Sequence, residues 1–589
     1  MLANFEKNFI LEVSADEAWK HVEYLSTIDK TSGTEGEVKA HEYVRRKLEE
    51  YKVPYDAYEF SSFISHPLDA SLKVTKPERK SMECRPAAFG GKTTGNGVSG
   101  EFVYVELPAG TLFGGVGGLV DLYTKAGVEG KIPIVWGLAA PTVMWAAQEA
   151  GALAQIHISG EEAIHEMIVT TIWGTPTPES AERLPKIPAL SIKKSDGEYL
   201  LELLKEGGVK VSLTSNVETK WRKIPITVAR IEGKEEPEKF MLVHGHMDSW
   251  YYGTTDNCTG NAACLELCRV FSKHRDKLKR SLRVAWWAGH STGRYSGSTW
   301  YADNLYDDLY KNCFVTMNID SPGVKGATNV GGGGLMGTVN FMAEVIKDAT
   351  GLEKFSVAAR HSRAGDQSFY GIGIPSVGAN GHIPEGSPLA GRWTGGSGGG
   401  WWWHNPADTV DKGDKDIFYR DAKMETLTVA KFLTCKVLPF SFADVSKDYE
   451  NALLDLQKRA PKNKDYVNPT MDRVKTMKTK AEALNKVLGG LQKSSDAEKI
   501  TKINHLLEKM AKVLTTTLYT YSGRHDQDPA YSLGMVPLLQ PLAELEKLKP
   551  ESDEAGFLRT RIVRNANRVN DELDSAIKLM EKALQICEK

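Results

Sequence analysis

The chain contains no Cys-x-x-Cys pair, no surplus of either charge, and no run near the roughly 20 apolar residues that span a bilayer. Each absence excludes something. Seven cysteines are spread thinly over 589 residues. Without paired spacing they support neither a disulfide framework nor a thiolate zinc site, although Cys258, Cys264 and Cys268 fall in or beside one predicted helix. A reducing cytoplasm is the expected location, with no membrane partner. Residues 1–19 lack a basic segment followed by an apolar core, so no secretion signal is expected. The 74 Lys and Arg against 76 Asp and Glu leave a net charge of -2, which gives no nucleic-acid footprint.

What is present is ordinary for a folded protein: 41% hydrophobic and 25% charged residues. The length predicts three or four units. Residues 1–94 read as helix, loop, helix and strands, with capping boxes expected at Ser14/Glu17 and Thr34/Glu37. A mixed αβ stretch follows over 95–221. It carries short strands at 132–136 and 153–158 and a helix at 141–150, and it reads as an inserted module outside the chemical core. From 222 to 440, apolar runs at 240–243, 282–287 and 313–319 alternate with helical stretches, the pattern of buried strands in an α/β sheet. Residues 441–589 are rich in Lys, Glu, Ala and Leu and predict a helical bundle.

Open α/β sheets build their sites at the C-terminal ends of strands. Here three strand ends share one chemistry. The first run leads to His244, His246 and Asp248, the second to His290, Ser291 and Thr292, and the third to Asp320. A loop supplies Asp256 and Asn257, and His404 follows the glycine and tryptophan run at 395–403. Imidazoles with carboxylates and no thiolate suit zinc or another divalent metal, and one carboxylate can bridge two ions. Taken singly, each residue has a plainer role. A histidine at a strand end packs or sits at the surface, Asp256-Asn257 caps a helix, and His404-Asn405-Pro406 makes a turn.

These motifs resemble metallopeptidase family 28, the zinc aminopeptidases and carboxypeptidases. The resemblance rests on residues 242–250 and 255–260, on Asn318-Ile319-Asp320, on Gly365-Asp366 with Phe369 and Gly373-Ile374-Pro375, and on His404 with Asp408-Thr409. It implies an α/β fold with a zinc-peptidase-like mixed sheet flanked by helices. Residues 187–197 resemble the end of a protease-associated domain. The C-terminal helices resemble the dimerisation domain of the glutamate carboxypeptidase and transferrin receptor branch, which implies a homodimer. The resemblance further implies that His246, Asp256 and Asp320 hold one metal, that Asp256 bridges to a second ion bound by His404, and that Asp248 orients His246. A small peptide or amide would be the substrate.

The pattern breaks at one motif. The family places a Glu-Glu pair after the second strand, one glutamate as general base and the other as ligand. This chain has Gly289-His290-Ser291-Thr292-Gly293-Arg294 instead. Three readings stay open. His290 replaces the lost ligand, His290 is itself the base, or the centre is a silent relic in a binding protein. Loss of a base also leaves open hydrolysis of a non-peptide C–N bond and a centre with one ion. Glu385 is a candidate for the lost carboxylate, against a solvated loop position. Trp402 and Trp403 are expected either to stack on substrate from a glycine-hinged lid or to pack inward. Arg294 is expected to pair a substrate carboxylate or a surface acid.

Overall fold

The computed structural model describes residues 4–113, 115, 117–359 and 364–588. Its first helices show how distant partners override local caps. Ser14 opens the helix Ala15–Leu25 by accepting from Glu17 N at 3.2 Å. The reciprocal half of the expected box is missing, because Ser14 N donates to Glu266 on the buried helix Thr259–Lys273. The Thr34 box does not form either. Thr34 donates to Thr31 O, and Glu37 is drawn into the core, where it accepts from Gly33 N.

Eleven strands form one mixed sheet. The strands are β1 (Tyr55–Lys76), β2 (Lys80–Met82), β3 (Arg85–Pro86), β4 (Val98–Tyr104), β5 (Ile132–Trp136), β6 (Gln155–Ile158), β7 (Ala189–Ile192), β8 (Lys210–Ile231), β9 (Glu236–His246), β10 (Arg280–Trp287) and β11 (Cys313–Asn318). The main path runs β11-β9-β10-β8-β4-β5-β6-β7-β3. β1 and β8 make an antiparallel ribbon of 22-residue strands. One end of β8 pairs with β10 through Thr227 to Ile231, and the other with β4 through Lys210 to Leu213. The stretch expected to be a separate module is thus hydrogen-bonded into the sheet that carries the site.

The short apolar runs read from the sequence lie in β9, β10 and β11, which are parallel to one another. One face packs on the helices Thr259–Lys273 and Lys415–Thr434, burying Met241, Val243, Leu282 and Val284. The other face buries Leu242, Ala285 and Trp287 against Tyr301 and Phe369. The chain after 441 is helix-rich, with long helices at Phe442–Arg459, Asn468–Leu491, Ala497–Tyr519 and Asp553–Glu588. Their apolar faces belong to the same core cluster as β9 and β10. Among the described residues no helix is long and apolar enough to cross a membrane.

One buried ion pair locks the start of this parallel set. Arg280 is wholly buried and sits opposite Glu236 in register, with Nε 2.8 Å from Oε2. Its Nη1 also donates to Cys435 O at 2.9 Å. Removing only the acid leaves a cation in the core, which costs roughly 3–5 kcal/mol. Glu236→Ala is therefore expected to lower the unfolding free energy by about that amount in urea titrations, and Arg280→Met by less.

Candidate metal centre

Because β9, β10 and β11 are parallel, their carboxyl ends lie side by side. His246 stands beside Trp287, and Asn318 beside His244. Gly245 separates the two histidines where the backbone is crowded, since a Cβ there would lie 2.9 Å from Ile319 O. Asn257 ties the Asp256 loop to β11 by donating to Ile319 O at 3.0 Å and accepting from Ser321 N at 3.1 Å. It also accepts from Gly260 N at 3.1 Å at the start of the following helix, so the capping role and the site role coexist.

His246 Nδ1 lies 2.7 Å from the backbone carbonyl of Asp248. A carbonyl can only accept, so Nδ1 carries the proton and Nε2 offers a lone pair. That nitrogen points at Asp256 Oδ1, 2.9 Å away, and at Asp320 Oδ1, 3.7 Å away. His246 Nε2 and Asp256 Oδ1 are both buried without a hydrogen bond. Lone pair faces lone pair, and only a proton or a metal cation resolves that opposition. The imidazole of His290 stacks on His246, with centroids 3.8 Å apart and planes at 10°. Ligand atoms of His246, His290 and Asp320 all fall within 4.8 Å of one another. Two histidines and one carboxylate with an open side match the donor set of catalytic zinc sites.

Asp256 faces the other way as well. Its Oδ2 accepts from Trp403 Nε1 at 2.7 Å and lies 3.1 Å from His404 Nε2. His404 Nδ1 is occupied by the carbonyl of Glu166 at 2.8 Å, so here too a lone pair faces the carboxylate. Among the described residues two side chains, Asp256 and His404, meet at that second position.

The electrostatics carry the same signature. Burial opposes charge on His246, but Asp256 and Asp320 outweigh it and hold its pKa well above the ordinary value. Burial likewise opposes charge on Asp256, yet His246 and His404 hold it well below the usual carboxylate range. His290 is pushed well below an ordinary histidine by burial and then by its cationic neighbour His246. Backbone strain gathers here too. Arg294, Tyr295, Ser321 and His404 have φ of 50°, 68°, 60° and 56°, a region that L-residues seldom occupy.

Several sequence expectations need correction. Asp248 does orient His246, but through its carbonyl. Its carboxylate instead accepts from His290 N at 3.0 Å, Ser291 N at 2.7 Å and Ser32 Oγ at 2.9 Å, and so shapes the altered loop. Trp402 is wholly buried and donates to Thr255 Oγ1 at 3.1 Å, so its indole has no free face for a substrate. Trp403 stacks on His404, with centroids 3.9 Å apart, while its N–H holds Asp256. The glycine and tryptophan run is thus a floor under the centre, with Ser397 N bonded to Ser321 Oγ. Glu385 is exposed.

The roles of three residues are not evident from the sequence, although one of them, Asp408, belongs to the His404 motif. Asp408 accepts from Thr255 N, Thr255 Oγ1 and Asp256 N within 3.1 Å, and burial pushes its pKa up to about 7. The Asp-Thr half of the His404 motif was its only signal. Glu166 and His165 come from the stretch taken as a separate module. Glu166 N donates to His404 O while its carbonyl accepts from His404 Nδ1, and His165 Nδ1 bonds to Trp403 O at 2.5 Å. No local motif marks such backbone partners.

Residues 227–425 match the model for peptidase family M28. The chain is 31% identical over 117 residues to a probable glutamate carboxypeptidase, VP8, of Zea mays, covering 19% of this chain and 16% of that one. It is 27% identical over 237 residues to another, AMP1, of Arabidopsis thaliana, covering 33% of each. The matched segments therefore span a third or less of those relatives. A solved peptidase M28 precursor from Shewanella amazonensis SB2B superposes with a TM-score of 0.59 at 18% identity, over 74% of this chain and 98% of that one, which shows a shared fold.

Proposed function

From a chain whose residues 227–425 match the model for peptidase family M28, we propose a metal-dependent hydrolase that cleaves a peptide or small amide C–N bond. The observation that carries the reading is the opposed lone pairs of His246 Nε2 and Asp256 Oδ1, buried together without a hydrogen bond. The donor set fits one divalent ion, with His246, His290 and Asp320 as its ligands. Zinc is the metal proposed. Such an ion polarises a substrate carbonyl and makes water a nucleophile near neutral pH.

The chain's own residues do the rest. The Asp248 carbonyl fixes the tautomer of His246, and the Glu166 carbonyl that of His404. Trp403 and Asp408 anchor the two ends of Asp256. The Asp320 side chain is 27% exposed against 2% for His246, so substrate approaches over Asp320. Neither ring nitrogen of His290 has a hydrogen-bond partner among the described residues, which suits a ligand. That same freedom favours a second reading, in which His290 moves the proton. A second ion between Asp256 Oδ2 and His404 Nε2 is a further proposal, supported by their 3.1 Å approach.

On the same reading residues 95–221 are a protease-associated-like domain. The helices of 441–589 form a homodimer contact, which exposed Phe557 and Val563 on the last helix support. A cytoplasmic home is supported by seven unpaired cysteines.

Metal titration tests the function. The protein is expected to take up about one equivalent of zinc and to hydrolyse peptide or N-acyl amino acid substrates only when loaded. A purified chain that binds no metal and gains no order on metal addition would leave the silent-relic reading. A pH effect follows from His246. Its raised pKa means that protonation stabilises the metal-free fold below the unfolded value near 6.5, a contribution lost as pH rises through the folded value. The metal needs that same nitrogen bare. Zinc affinity is therefore expected to rise about tenfold per unit between pH 6 and 7, as competition with a chelator would report.

A further inference from the structure

Arg294 stands out among the charged groups around the centre. It lies in the loop that stands where the family has its glutamate pair, next to Tyr295, whose ring meets His290. Its Nε is closed off from solvent and has no acceptor. Nη2 makes one long bond, 3.3 Å, to Ala530 O. Among the described residues no carboxylate lies within ion-pair distance. Its neighbours are two aromatic rings, Trp173 and Tyr295, with centroids 5.8 and 5.6 Å from Cζ. Those rings stack on each other at 3.8 Å, and Tyr295 meets His290 edge-on at 4.3 Å.

A half-buried guanidinium whose Nε is shielded and which has no counter-ion is costly to fold, and a carboxylate held in its fork offsets that cost. The setting is built rather than incidental. Arg294 and Tyr295 both occupy left-handed backbone, and Gly174 N fixes the loop by donating to Arg294 O. The Trp173 side chain is itself tied down by its bond to Ser368 Oγ at 2.9 Å. Three stretches distant in sequence, around 173, 294 and 530, thus converge on one unpaired cation beside the metal centre.

We propose that Arg294 is a specificity residue that binds a free carboxylate of the substrate, so that the hydrolysed amides are those of acidic compounds such as N-acyl amino acids, with uncharged amides as poor substrates. This rests on the hydrolase reading above. The fork of Arg294 takes the carboxylate, and the Tyr295 ring spans from that subsite to His290. A site built to pair a polar group rejects an analogue lacking it by large factors, because its own group is left unpaired.

The test uses the zinc-loaded full chain and matched pairs, each an N-acyl amino acid and its primary amide at the carboxyl end. The acids are expected to show roughly 100-fold higher kcat/KM than the amides, mostly through KM. Arg294→Met should reduce that ratio to near one, and Arg294→Lys should keep part of it. Equal turnover of acid and amide by the wild type, or an unchanged ratio in Arg294→Met, overturns the proposal. If neither compound is turned over, the hydrolase reading fails separately, and calorimetry with N-benzoylglycine decides. Binding weakened about 30-fold or more in Arg294→Met supports the carboxylate subsite, whereas equal or undetectable binding in both proteins refutes it. Thermal unfolding separates this role from a structural one. Removing a half-buried cation that lacks a counter-ion should raise the midpoint by roughly 2 °C or more, whereas loss of a structural arginine should lower it.

Discussion

Asp256→Asn is expected to fold, to lose its metal, and to lose on the order of 10⁴-fold in kcat/KM. Asp256 presents one oxygen to His246 Nε2 at 2.9 Å, and the other to Trp403 Nε1 at 2.7 Å and His404 Nε2 at 3.1 Å. An asparagine of the same shape can turn its amide N–H toward His246 while its oxygen keeps the Trp403 bond. The opposition at His246 is then resolved, leaving only the lone pair of the partly exposed His404 Nε2 facing an oxygen, so the stability cost is small. The donor gained is also what defeats the metal, because an N–H now occupies the place where a cation would sit. Charge stabilisation by a metal amounts to several kcal/mol. A loss of about 6 kcal/mol, at 1.36 kcal/mol per decade, gives the 10⁴-fold figure. Metal analysis and steady-state kinetics on one preparation check it, with circular dichroism reporting the fold. Retained zinc with wild-type turnover would remove Asp256 from the centre.

His290→Ala carries the second large effect, a fall in turnover of roughly 10²–10⁴-fold. The magnitude alone does not assign a role, but metal content does. If His290 is a ligand, as its grouping with His246 and Asp320 within 4.8 Å supports, bound zinc should fall with activity. If it moves a proton, zinc should stay and the pH profile of kcat should lose one limb. The ring stack on His246 adds a packing component that His290→Phe retains, so that variant separates the imidazole's chemistry from its shape. Undiminished turnover in His290→Ala would exclude both active roles.

The strand ends were legible in the sequence because their physics is local. Short apolar runs bounded by turns predict buried strands, parallel strands align their carboxyl ends, and His246 ends one strand while His290 and Asp320 sit just beyond the other two. The partners of those residues were not legible. Asp248 looked like a carboxylate that orients a histidine, but every residue type owns a carbonyl, and it is the carbonyl that does the orienting. Trp402 and Trp403 follow a run of glycines, which suggests a mobile flap. Their burial depends on Thr255 and Asp256, about 150 residues away, which accept from the two indoles. Glu37 had a convincing local cap and still turned inward, where it accepts from the half-buried Gly33 N.

The exchange between His404 and Glu166 sets the smallest part of this chain that can be cut free and still work. Each backbone accepts from the other, one bond through the imidazole Nδ1 and one through the amide of Glu166. A fragment trimmed to residues 227–425 would keep His246, Asp256, His290, Asp320 and His404. It would lose the carbonyl that decides which nitrogen of His404 bears hydrogen. The ring would then be free to interconvert between tautomers, and in one of them an N–H would confront Asp256 where a lone pair belongs. The limits of a sequence match and the limits of a working unit therefore differ, and two hydrogen bonds draw the second boundary.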